Sequence, residues 1–224
     1  MRRIRLVFVP LAIVVAGCGG GAKSNGEAGK PPADVLTDAK QAALAAESVH
    51  VAGSIVDSGT PLTLDLQLLR GTGAKGTMSE NHLPFDLIRV GNAAYIRGSD
   101  AFLRKFAGAG GQALLHGKWL KGSATTGDLA AITPLTDLAK LFKGALGAHG
   151  TLKNLGETTH DGQHVVAIRD TTRGGTLYVA ARGTPYPVAL AEDKGRGELR
   201  FDKWNESVSV KAPKGAVDMA ALGG

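Results

Sequence analysis

Residues 62–68 read Leu-Thr-Leu-Asp-Leu-Gln-Leu, four leucines alternating with three polar side chains. A period of two places all four leucines on one side of an extended chain and the polar residues on the other, so this segment forms a strand with one oily and one wet face. The same period runs through Val49, Val51, Gly53 and Ile55, through Pro84 to Val90, and through Ala93 to Arg97. Gly71 to Ser79 reads as a weaker, polar strand, and Lys118-Trp119-Leu120 as a short edge. Further strands are expected at Thr151–Thr158, Gln163–Asp170, Thr176–Ala181, Val188–Ala191, Glu198–Asp202 and Ser207–Val210. Gly91-Asn92, Asp161-Gly162 and Gly174-Gly175 suit the tight turns that join antiparallel neighbours. Pro185-Tyr186-Pro187 should open a strand at an edge or bend, because proline has no N–H for a ladder.

Helical spacing interrupts this pattern three times. Asp34 to Ser48 carries Val35, Leu36, Ala39, Ala42, Ala43 and Ala46 at three- and four-residue intervals, with Asp34 placed to cap the first turn. Ser99 can cap Asp100 to Phe106, whose Phe102, Leu103 and Phe106 share a face before Gly108-Ala109-Gly110-Gly111 stops the helix. Thr133 can cap a longer helix from Pro134, striped by Leu135, Leu138, Leu141 and Phe142. The expected class is therefore α+β: a largely antiparallel sheet of ten or eleven strands with a few helices.

Gly71-Thr72-Gly73-Ala74-Lys75-Gly76 has the spelling of a dinucleotide-binding loop, but that loop must open a helix, and Lys75 to Ser79 is extended. A hairpin or bulge is expected instead. His160 and His164 have zinc-ligand spacing for a helix, yet the turn at Asp161-Gly162 sends the two rings apart. With one cysteine and no H-E-x-x-H, no metal site is expected; neither is a cofactor, nor a nucleophile elbow. A hydrolase with a dispersed triad stays open as a minor alternative.

The N-terminus determines the compartment. Arg2, Arg3 and Arg5 precede the apolar stretch from Leu6 to Ala16, and small residues lead into Cys18, the pattern of an export signal. About a dozen apolar residues span under about 20 Å as a helix, short of the roughly 30 Å hydrocarbon core. Val15-Ala16-Gly17-Cys18 resembles a bacterial lipobox. That resemblance implies cleavage before Cys18, a diacylglyceryl group on its sulfur and acylation of the new amine, two or three chains that hold a protein firmly to a membrane. The alternative is a free cysteine buried in an uncleaved helix. Residues 1–17 are thus read as the signal, 18–33 as a lipidated Gly/Ser/Pro-rich tether, and 34–224 as one domain on the outer face of the cell membrane. Three arginines leave with the signal, so the formal charge falls from +6 to +3. That modest excess, without basic runs interleaved with aromatics, argues against nucleic acid. Aromatics make up only 5% of the chain, so the interior is aliphatic and better suited to alkyl chains than to stacked sugars or bases.

Periodicity alone favours side chains that simply fill the core, a scaffold presenting its loops to an envelope protein partner. The layout resembles the LppX/LprG-type actinobacterial lipoproteins, which are similar to the LolA half-barrel. The likeness rests on Ser48-Val49-His50-Val51, Gly91-Asn92-Ala93-Ala94-Tyr95-Ile96, Lys118-Trp119-Leu120, and Thr176-Leu177-Tyr178-Val179 through Pro185-Tyr186-Pro187-Val188. It implies helices inside the concave face of a curved sheet and an apolar, non-catalytic cavity for acyl chains of lipids or glycolipids. Gly144 and Gly147 in the later helix depart from a bulky lining and bear on pocket volume. The expected lining is Val51, Ile55, Leu64, Leu66, Phe85, Leu87, Leu138 and Phe142.

Overall fold

A computed structural model describes residues 23–57, 59–71 and 73–222. Cys18 and the signal lie outside the described residues. The order is α1 (Pro32–Ala45), β1 (Ser48–Asp57), β2 (Thr60–Leu69), β3 (Gly73–Glu80), β4 (Leu83–Val90), β5 (Ala93–Gly98), α2 (Asp100–Leu115) and β6 (Leu120–Ser123). A short helical turn (Asp128–Ile132) leads to α3 (Thr133–Thr136) and α4 (Leu138–Ala145). Then come β7 (Leu152–His160), β8 (Gln163–Asp170), β9 (Thr176–Ala180), β10 (Pro187–Ala191), β11 (Glu198–Asp202) and β12 (Val217–Asp218). All twelve strands form one unclosed sheet in the order β12-β6-β5-β4-β3-β2-β1-β11-β10-β9-β8-β7, antiparallel except for β12 beside β6. Among the described residues, no helix is long and apolar enough to cross a membrane.

The alternation in β2 sets the register of the first half. Leu64 lies opposite Gly53 and Met78, and Leu66 opposite Val51 and Gly76. Gly76 in turn faces Leu87, which pairs with Ile96. One oily face thus continues across five strands, a slip of a single residue would turn it outward, and Leu64, Leu66, Leu68 and Leu87 are at most 1% exposed. Gly76 takes φ +150°, and a Cβ there would lie 2.0 Å from the Asp65 carbonyl oxygen. Only glycine permits this kink, which curls the sheet.

Some elements match expectation and others differ. Gly73 to Gly76 lie in β3 with no helix after them, as the hairpin reading requires. Asp161 and Gly162 both take positive φ, 46° and 78°, and close the β7–β8 hairpin. Pro187 opens β10 at a register shift in the sheet interior. The helix expected from Thr133 is broken. The Thr133 hydroxyl donates to the Ala124 carbonyl instead of capping, and Asp137 restarts the helix by accepting from Lys140 N at 3.0 Å. Ser207–Val210 is not a strand; Val208 and Val210 are half-buried and their neighbours exposed, so the alternation there records facing without ladder pairing.

The chain from residue 23 onward, expected to belong to the tether, is docked on the body. Asn25 N donates to Ala181 O (3.0 Å) and its side-chain amide to Ala180 O (2.8 Å). Glu27 is 2% exposed and accepts from Lys30 Nζ at 2.7 Å. Lys30 also reaches Asp38 at 2.6 Å, and the Asp38 and Glu27 carboxylates raise its pKa.

Candidate functional site

The helices cover the concave face unevenly. On the α1–α4 side, Phe142 is fully buried against Phe201 (ring centroids 5.0 Å) and Trp204 (5.4 Å), with Val35, Ala39, Ala43 and Leu138 closing the space. Under α2 the packing stops short and leaves an apolar cleft of about 800 Å³. Its floor is Phe85 of β4, Ile96 of β5 and Leu120 of β6; Phe102, Leu103, Phe106 and Leu115 form one wall, and Leu129, Ile132, Met219 and Leu222 the other.

Local sequence explains this wall. Ser99 caps α2, its hydroxyl accepting from Phe102 N at 3.2 Å. The cap directs Phe102 onto the sheet, where Gly98 has no side chain to keep it away; a Cβ at Gly98 would sit 2.4 Å from the Phe102 ring. Phe85 and Phe102 stack obliquely at 5.0 Å, and Phe102 and Phe106 at 4.5 Å. Exposure rises along this file from 7% to 8% to 60%, so an aromatic path runs from the sheet to solvent.

The opposite wall depends on Arg89, a cation 9% exposed on the concave face. Its Nη1 donates to the Thr136 carbonyl (3.1 Å), freed by the break before α4, and approaches Asp137 Oδ2 at 3.4 Å, while Nε donates to Gly91 O at 3.0 Å. A buried guanidinium with these acceptors is satisfied and holds the α3–α4 break in place.

Of the eight residues expected to line a cavity, Phe85 alone borders this cleft. Val51, Leu64, Leu66, Leu87, Leu138 and Phe142 are in the close-packed core at 0–1% exposure, and the half-buried Ile55 packs against that core. Phe102, Leu103 and Phe106 share a helix face in sequence, and that face is the wall. Met219 and Leu222 carry no sequence signal, because they reach the cleft through the two-residue β12.

The charged groups elsewhere pair with one another. Among the described residues, His160, Asp161 and Glu198 offer ligand atoms within 4.8 Å of one another. Arg200 Nε already lies 2.7 Å from Glu198 Oε1 and 3.0 Å from Asp161 Oδ2, so a guanidinium supplies the positive charge there. His164 instead faces Glu157 at 3.2 Å, so the two rings of the zinc-like spacing do diverge. Three carboxylates are pulled below their ordinary pKa: Asp193 by the Arg169 guanidinium, Asp170 by the Gly150 and Arg173 backbone N–H groups, and Glu157 by Arg182. They brace turns and strand ends, away from the cleft.

An open, twelve-stranded half-barrel with helices on its concave side and a cleft under one of them defines a LolA-like fold. Two solved structures share it. LprF from Mycobacterium bovis is similar over 87% of this chain and all of its own, at 17% identity and TM-score 0.56. The lipoprotein LppX from Mycobacterium tuberculosis is similar over 81% of this chain and all of its own, at 22% identity and TM-score 0.50. Both are likenesses of fold. No family model and no curated protein matches the sequence.

Proposed function

We propose that this chain is a membrane-anchored lipoprotein of the LppX/LprG type that holds acyl chains of a lipid or glycolipid in the α2 cleft, without covalent chemistry. The observation that carries the reading is the cleft itself: about 800 Å³ walled by eleven large apolar side chains that the protein leaves partly unfilled. Each methylene moved from water into such a site contributes about 0.8 kcal/mol, so a chain of ten carbons offsets the ordering it suffers and still binds. The export pattern ending at Cys18 supports an anchor on the outer face of the cell membrane.

The test is binding of a fluorescent fatty acid by the purified full chain, with mass spectrometry for co-purified lipid. Ala131→Trp, which projects bulk into the cleft from an exposed position, is expected to weaken binding at least tenfold while leaving the circular dichroism spectrum unchanged. Absence of both probe binding and co-purified lipid would sink the carrier reading and favour an envelope scaffold.

A further inference from the structure

The helix α2 is a hairpin. Gly108 takes φ 68° and ψ −178° inside it, a conformation closed to other residues, and reverses the chain. Three contacts tie the two arms together. At the base His116 Nδ1 lies 2.6 Å from Asp100 Oδ1; midway the Arg104 guanidinium donates to Gln112 Oε1 at 3.2 Å; and Gly111 packs against Ala107 so closely that a Cβ would come within 2.4 Å of it. Everything from Arg104 to Gly110 is exposed. This tip has a composition unlike a solvated turn. Phe106 is 60% exposed, and Leu222, which lines the same cleft, is 45% exposed. From Phe106 to Gly110 the other residues are Ala107, Ala109 and glycines, which offer no polar side chain.

The charged side chains of the tip itself, Arg104 and Lys105, are both positive. From Ala101 to Gly127 the chain has Arg104, Lys105, Lys118 and Lys121 and no acidic residue. The flanking Asp100 is engaged by His116 at the base, and Glu80 stands on the rim of the cleft. An exposed aromatic ring with two cations, Arg104 and Lys105, directly before it in the chain is complementary to a bilayer with anionic headgroups.

We propose that the α2 hairpin tip docks on an anionic lipid bilayer, inserting Phe106 at the headgroup–acyl boundary so that the cleft opens directly onto the membrane. The inference rests on the carrier reading for its purpose, since Phe106 is both the exposed tip residue and a wall of the cleft. An acyl chain entering beside it passes from bilayer to Phe102 and Phe85 without crossing water.

Depth-resolved quenching tests this. The full chain carrying Phe106→Trp is reconstituted into vesicles of phosphatidylglycerol and brominated phosphatidylcholine, with Thr63→Trp, an exposed site on the wet face of β2, as reference. At position 106 the added fluorescence is expected to be quenched at least twofold more than at position 63. Replacing phosphatidylglycerol with neutral lipid, or Arg104 and Lys105 with glutamine, is expected to weaken quenching several-fold. Equal quenching at 106 and 63 overturns the docking inference. If the fatty-acid probe still binds, the carrier reading survives that result; if quenching is strong but no probe binds, docking stands and the carrier reading falls.

Discussion

The two halves of the concave face start from the same material and end differently. On the α1–α4 side, Ala39 and Ala43 let α1 approach closely and Phe142 occupies what remains, so Val51, Leu66 and Phe201 are sealed at 3% exposure or less. On the α2 side the helix turns back at Gly108 after two turns, and from the second arm Leu115 reaches the cleft while Ala113 and Leu114 face solvent. A continuous oily sheet becomes a container only where the helix above it lacks the bulk to fill it. Vacancy in this fold is thus decided by the helices.

The strongest challenge to this contrast is Phe142→Ala. Deleting a fully buried ring is expected to cost about 3–5 kcal/mol of stability, read from urea unfolding, with fatty-acid binding to the α2 cleft little changed. A gain of binding capacity instead would mean that the sealed half is a second pocket held shut by one ring. Arg89→Met comes next. Leaving the Thr136 carbonyl without its donor should cost about 1–3 kcal/mol and loosen the wall containing Leu129 and Ile132, seen as faster amide exchange at the α3–α4 break. If exchange is unchanged, the guanidinium is not the latch. Asn25→Ala should cost about 1 kcal/mol, with protease cleavage near residue 25 rising first and the rest of the fold intact.

The smallest expected effect is with pH. Asp170, Asp193 and Glu157 have folded-state pKa values below their ordinary 3.8, 3.8 and 4.5, so the stability they contribute is fully present above those values and lost as pH falls beneath them. Thermal unfolding should be insensitive to pH above about 5 from these groups and decline on further acidification. Asp170→Asn should flatten part of that decline, and an unaltered acid limb would remove Asp170 from the account.

Much of the sheet was legible because its period is local. Leu62 to Leu68 states its own facing, and the turn dipeptides state where neighbours reverse. The site was less so, because which oily residues border a vacancy depends on the helices packed over them, and that is not periodic information. Leu64 and Leu87 alternate as well as Phe85 does, yet they are sealed while Phe85 meets the cleft. The face of Phe102, Leu103 and Phe106 was visible; that Gly108 would reverse the chain and continue as a second arm was not, since glycine after a helix commonly ends it. Thr133 and Asp137 are both good capping residues, and the tertiary bond to Ala124 decided between them. Met219 and Leu222 come from the far end of the chain and have no local mark at all.

The docking of Asn25 beside β9 has a mechanical result. Fifteen residues after Cys18 would give the body a reach of roughly 50 Å at full stretch; pinning the chain at residue 25 leaves only residues 19–24, under about 25 Å. Under the Cys18 anchor proposed above, so short a leash would keep the protein from ferrying anything across a wide gap. It would serve one leaflet as a fixed station, and cargo leaving it would have to be collected.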